Sequence, residues 1–196
     1  MAEIYTGYRF KYINSGKETE LNFDISSLVT WCQIFNENGF TPPYNGGSSG
    51  NLSIRIKPGE PKFIITSSYT DLGKPLNISN FSEVISCDTE NNTVYAKGKN
   101  APSSETFMHY LIYKNRQEIN AVFHGHSNEI MKIAAKKGFP VTKKELPYGT
   151  IDLAKDAVET LKNDSFVILK NHGFISVGKS ADEAGRIVLN LLNSTK

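Results

Sequence analysis

The chain has 196 residues, 39% of them hydrophobic and 21% charged, and its 22 basic and 20 acidic side chains leave a net charge of +2. That length is above the commonest single-domain size but short for two cores, so one domain over residues 1–196 is expected. Interspersed charge without a dense basic patch argues against nucleic acid as a partner, and no stretch nears the ~18 consecutive apolar residues that cross a bilayer.

The first twenty residues mix charges with aromatics and hold no apolar segment or small-residue cleavage site, which reads as no secretory leader. Cys32 and Cys87 lie far apart in neither a metal nor a redox spacing, which fits a reducing compartment and a cytoplasmic protein. From Asp24 to Asn38 the apolar residues Leu28, Trp31, Cys32 and Phe35 recur at helical spacing, with Asp24 or Ser26 as cap and Gly39 as stop. A loop rich in proline, glycine and serine (residues 41–51) then feeds a strand in which Leu52, Ile54 and Ile56 alternate with Ser53, Arg55 and Lys57. Further strands are expected over residues 62–66, 82–87 and 93–97, the last two joined by a polar turn from Asp88 to Asn92.

The second half alternates helix and strand. Helices are expected at about Ser103 to Asn115, Ser127 to Lys137 and Ile151 to Lys162, with strands at Ile119 to Phe123, Phe166 to Leu169 and Phe174 to Val177. A last helix starts near Ser180, where Glu183 three residues on makes a capping box. Strands joined by antiparallel turns with helices at the periphery predict an α/β fold, a three-layer α/β/α sandwich with a mainly antiparallel central sheet.

The segment Asn120 to His126 places His124 and His126 at i and i+2 just past an apolar strand, where extended backbone turns both side chains the same way. Two converging imidazoles are half of a zinc site, and Gly125 between them would let the backbone approach a ligand. His172, again followed by glycine and again directly after an apolar strand, supplies a third donor. Three histidines with an open fourth position are the composition of a catalytic zinc site, although nitrogen donors also suit other divalent transition metals. A His-x-His pair also recurs by chance. What favours metal here is that three of only four histidines share one setting.

Ser103 or Ser104 can cap the helix that carries Glu105 and His109, and the free amides of a first helical turn attract an anion such as phosphate. Glu105 beside a metal can carry protons to and from a substrate carbon. His109, one turn on, fits support or packing better than metal ligation. Gly46 to Asn51 has no P-loop lysine and no dinucleotide fingerprint, so neither nucleotide class is supported.

The segments GGSSGNLSIR (46–55), FIITSS (63–68), PSSE (102–105), NAVFHGHS (120–127) and KNHGFISVG (170–178) together resemble the class II aldolase and adducin family, nearest its L-fuculose-1-phosphate aldolase branch. The resemblance runs from about Ser26 to Asn193. It implies a homotetramer acting on a small sugar phosphate, with zinc on His124, His126 and His172 and Glu105 as the acid/base. It also implies a phosphate pocket of Gly50, Asn51, Ser68, Ser103 and Ser104. The implied reaction is reversible cleavage of a ketose 1-phosphate to dihydroxyacetone phosphate and a short aldehyde such as lactaldehyde. Sister epimerases resemble the pattern but carry aspartate at the position of Glu105, sister dehydratases lack the acid there, and adducin-type members, which are scaffolds, lack the metal histidines. The chain departs from the aldolases at Tyr69, where they usually carry glycine, and in a shorter segment from Pro147 to Thr150. It also has no counterpart, up to Lys196, of the tail that helps handle the aldehyde. Tyr148 stands either in place of a neighbouring subunit's tyrosine or as a packing residue of the loop.

Overall fold

The structure, a computed structural model, describes residues 6–16, 23–44 and 46–194. The leader reading rests partly on residues outside that set. The first half of the chain gives β1 (Lys11–Asn14), α1 (Ser26–Glu37), the short pair β2 (Pro43–Tyr44) and β3 (Gly47–Ser48), then β4 (Asn51–Arg55), β5 (Phe63–Thr66), β6 (Phe81–Asp88) and β7 (Thr93–Gly98). The second half gives α2 (Thr106–Asn115), β8 (Ala121–Gly125), α3 (Asn128–Lys136), α4 (Ile151–Leu161), β9 (Phe166–Leu169), β10 (Gly173–Gly178) and α5 (Ala181–Asn193). Among the described residues no helix is long and apolar enough to cross a membrane.

Eight strands form one sheet in the order β1-β7-β6-β5-β4-β8-β10-β9. All of its pairs are antiparallel except β1 with β7. β1 was not expected from the sequence: four residues with two polar ends are too few for an alternation to stand out. Successive side chains fall on opposite faces of the sheet. Leu52, Ile64, Phe123, Phe166 and Phe174 therefore pack under α1, α3 and α5, while Phe63, Ile65, Val122, Val167 and Ile175 pack under α2 and α4. The result is the three-layer α/β/α sandwich with a mainly antiparallel sheet.

Helix α1 buries Leu28, Trp31, Cys32 and Phe35, the stripe read from the sequence. A Cβ at Gly185 would lie 2.2 Å from the Trp31 ring, so glycine at that position is what lets α1 and α5 close together. At the start of α5, Ser180 Oγ accepts from the Glu183 amide at 3.1 Å, but Glu183 reaches back to the Lys179 amide (2.8 Å), so the capping box closes one residue early.

β4 departs most from expectation. Its alternation reads as apolar-in and polar-out, yet Asn51, Ser53 and Arg55 are all buried. They face α2, where His109 and Tyr113 meet them in a polar seam. Arg55 is 7% exposed and donates to the carbonyls of Ile119 (2.8 Å), Tyr113 (3.0 Å), Arg116 (3.0 Å) and Glu60, with its guanidinium over the Tyr113 ring. Replacing Arg55 with Met would strand several carbonyls away from water. Each bond to a charged donor is worth about 1.5–3 kcal/mol, so Arg55→Met is expected to cost about 2–4 kcal/mol in urea unfolding. A loss below about 1 kcal/mol would mean that water satisfies the seam.

Candidate metal centre and its cavity

The sheet topology brings the three histidines together. His124, next to last in β8, lies between Asn51 on β4 and Ile175 on β10, and His126 follows the strand with its amide held by the Phe40 carbonyl at 2.8 Å. His172 arrives from the turn between β9 and β10, after Asn171 at φ 56°, a left-handed conformation that asparagine tolerates better than most residues. The ring centroids lie 4.6 Å apart for His124 and His126 and 5.1 Å for each with His172. One nitrogen from each ring lies within 4.8 Å of the others.

The donor set suits a divalent cation. The Phe174 carbonyl can only accept, so His124 Nδ1 must carry the proton in their 2.9 Å contact, which leaves the Nε2 lone pair for a metal. Burial, and then the charges of His126 and His172, hold His124 well below the usual imidazole range. Burial first, and then His172, push His126 down to about 3. Neutral imidazoles are the form that ligates.

Two glycines shape this corner. A Cβ on Gly173 would sit 2.5 Å from the Gly125 carbonyl and 2.9 Å from His124 Cε1. A Cβ on Gly125 would sit 2.5 Å from Phe174 Cζ, so this glycine makes room for a core aromatic ring and not for a ligand, contrary to the sequence reading.

Glu105 is 4% exposed, with Oε1 3.5 Å from His172 Nε2 and accepting from the Gly149 amide at 3.2 Å. It is the residue immediately before α2, and neither serine supplies that helix with a side-chain cap. The Ser103 carbonyl takes the Thr106 amide, while Ser103 Oγ makes a long 3.4 Å contact with the Glu105 amide. An isolated antiparallel bridge between Ser67 and Pro102 lays residues 66–68 beside residues 101–103, and Ser68 Oγ donates to the Pro102 carbonyl at 2.8 Å. One cavity of about 960 Å³ is lined by every residue expected at the site: Gly50, Asn51, Ser68, Ser103, Ser104, Glu105, His124, His126 and His172. Gly50 needs to be glycine, because at φ 82° its Cβ would stand 2.8 Å from the His124 carbonyl.

His109 is fully buried, and both ring nitrogens are engaged: Nδ1 with Ser53 Oγ and Nε2 with Asn51 Oδ1, each at 2.7 Å. It stands apart from the metal cluster. Tyr69 keeps the backbone a glycine would have, at φ 61°, with its ring 54% exposed on the cavity rim. Tyr148 also lines the cavity, but its hydroxyl accepts from the Thr6 amide (2.7 Å) and donates to the Gly7 carbonyl (3.1 Å), while Arg9 lies over its ring. Those contacts tie Tyr148 to Thr6, Gly7 and Arg9. Sequence reasoning missed the Gly149 amide on Glu105, because a main-chain donor leaves no residue-type signal.

Comparison with known proteins agrees with this geometry. A family model described as the Class II Aldolase and Adducin N-terminal domain matches residues 26–195. An L-fuculose phosphate aldolase of Methanococcus maripaludis is 31% identical over 175 residues, covering 82% of this chain and 88% of that protein. A methylthioribulose-1-phosphate dehydratase of Yersinia enterocolitica is 35% identical over 106 residues, 54% of this chain and 45% of that one. Among solved structures, an L-fuculose 1-phosphate aldolase superposes with a TM-score of 0.70 at 24% identity, covering 89% of this chain and 84% of that one, a likeness of fold. The chain therefore belongs to the class II aldolase and adducin family.

Proposed function

We propose that this chain, as a single domain, is a zinc-dependent aldolase. It reversibly cleaves a ketose 1-phosphate of the L-fuculose 1-phosphate type to dihydroxyacetone phosphate and a short aldehyde such as lactaldehyde. The observation that carries the reading is the convergence of three imidazole donors with Glu105, 3.5 Å from His172, in one cavity. The aldolase relatives support the reaction class.

Zinc or another divalent metal held by His124, His126 and His172 would supply positive charge where a carbonyl oxygen becomes negative as the carbon–carbon bond breaks. Glu105 gives a proton to the carbon left electron-rich by that break, balancing the proton lost from the hydroxyl that becomes the aldehyde, and in the reverse direction removes it. The Gly149 amide holds Oε1 of Glu105 in place for both transfers. Gly50, Asn51, Ser68, Ser103 and Ser104 line the cavity with small side chains, hydroxyls and an amide suited to a phosphate. The reading includes a homotetramer, in which a neighbouring subunit would cover the exposed Tyr69 and Val141 on the cavity rim.

Zinc-loaded protein incubated with L-fuculose 1-phosphate, ribulose 1-phosphate and related ketose phosphates is expected to release dihydroxyacetone phosphate from at least one of them. A product changed without cleavage, followed by proton NMR, would place the chain with the epimerases or dehydratases instead. Absence of either outcome across the panel would leave a metal-binding scaffold.

A further inference from the structure

On α2, His109 and Tyr113, one turn apart, face β4, and the β4 residues they meet are Asn51, Ser53 and Arg55, two residues apart. Helical and strand periodicities thus put two rows of polar side chains in register beneath the cavity floor. The proposed reaction uses Asn51 from these rows and leaves His109, Ser53 and Tyr113 without a role.

Their hydrogen bonds form one chain. Tyr113 Oη lies 2.8 Å from Ser53 Oγ, Ser53 Oγ lies 2.7 Å from His109 Nδ1, and His109 Nε2 lies 2.7 Å from Asn51 Oδ1. An amide oxygen can only accept, so Nε2 carries the ring proton. Nδ1 must then accept, which makes Ser53 its donor and Tyr113 the donor to Ser53. Ser53 has a single proton, which the 2.7 Å contact with Nδ1 takes over the 3.4 Å approach to the Val122 carbonyl, and every member of the chain is buried. Full burial also keeps His109 neutral, at about 3, with the single ring proton that this assignment requires. Once Oδ1 of Asn51 is taken from below, its two N–H donors are left for the cavity that Asn51 lines.

We propose that His109 is a positioning residue for the anion end of the substrate: it locks the Asn51 amide so that donors, and not the carbonyl oxygen, face the phosphate. Without that lock a half-turn of the amide would aim a partial negative charge at an anion. Ser53 and Tyr113 act one step further back by fixing the ring tautomer. This inference rests on the cavity taking a phosphorylated substrate.

The test uses metal-loaded protein with inorganic phosphate as probe, followed by calorimetry, together with KM and kcat for whichever ketose phosphate is cleaved. His109→Gln places an amide N–H near the position of Nε2 and is expected to keep phosphate affinity within about threefold. His109→Asn can still meet Ser53 but falls short of Asn51, and is expected to weaken phosphate at least about tenfold and raise KM more than it lowers kcat. In an Asn51→Ala background the effect of His109→Asn on phosphate should vanish, which a merely structural role would not produce. Wild-type binding that survives His109→Asn would overturn the proposal alone. The same holds for a loss that persists in the Asn51→Ala background, or for His109→Gln and His109→Asn falling together. A wild-type protein that binds neither inorganic phosphate nor a sugar phosphate would overturn the anion-site reading, and this proposal with it.

Discussion

Glu105→Gln is expected to lower kcat by about 10²–10⁴-fold while leaving metal content and stability unchanged. Glutamine has the shape of glutamate and keeps an oxygen to accept from the Gly149 amide, so the 3.2 Å contact and the start of α2 should survive. What glutamine cannot do is take up or release a proton, and the proposed reaction needs one moved at the carbon beside the carbonyl. Because loss of a proton carrier acts on the chemical step, the fall should appear in kcat and kcat/KM together. Metal analysis of the same preparation separates the alternatives. With Oε1 only 3.5 Å from His172 Nε2, Glu105 also stands where a fourth ligand could. A variant that loses metal along with turnover would make Glu105 a ligand, and one that keeps both would remove it from the reaction.

How far the sequence revealed this arrangement differs between its parts. The histidines were legible because strand periodicity is rigid: residues two apart at the end of β8 share a face, and His172 directly follows the apolar strand β9, at the turn into β10, which pairs with β8. Glu105 and the loop serines were legible through resemblance more than through chemistry, since serine before glutamate also describes an ordinary helix cap. The structure shows that neither serine caps α2 through its side chain. The polar seam was not legible, because Ser53 and Arg55 alternating with leucine and isoleucine mark a strand without saying what covers its polar face. Only the packing of α2 over β4 turns that face inward, and tertiary contact is not written in a local period. Gly125 was read for the right flexibility and the wrong neighbour: the atom it makes room for, Phe174 Cζ, lies on β10. Tyr148 shows the same limit, because its partners Thr6 and Gly7 lie about 140 residues away in sequence.

His172→Ala is expected to weaken metal binding by about a hundredfold or more and to bring turnover down to the level of metal-free protein. His172 is the most informative of the three ligand candidates to remove. His124 is almost fully buried and bonded to the Phe174 carbonyl, so its loss would open a hole in the sheet and confuse folding with ligation. His172 sits in the turn between β9 and β10 with 13% of its side chain exposed, against 1% for His124, so the apo variant should unfold closer to wild type than a His124 variant would. A ligand that binds only the folded state stabilises it by RT ln(1 + [L]/Kd), about 2.7 kcal/mol at a hundred times Kd. Zinc should therefore raise the melting temperature of the wild type and leave that of His172→Ala nearly unmoved at the same concentration. Both readouts work without any substrate, so they test the three-histidine centre even if the sugar phosphate has been chosen wrongly. If the variant retained wild-type zinc and the wild-type thermal shift, the cation would have to sit elsewhere, and the convergence of His124, His126 and His172 would be left without a function.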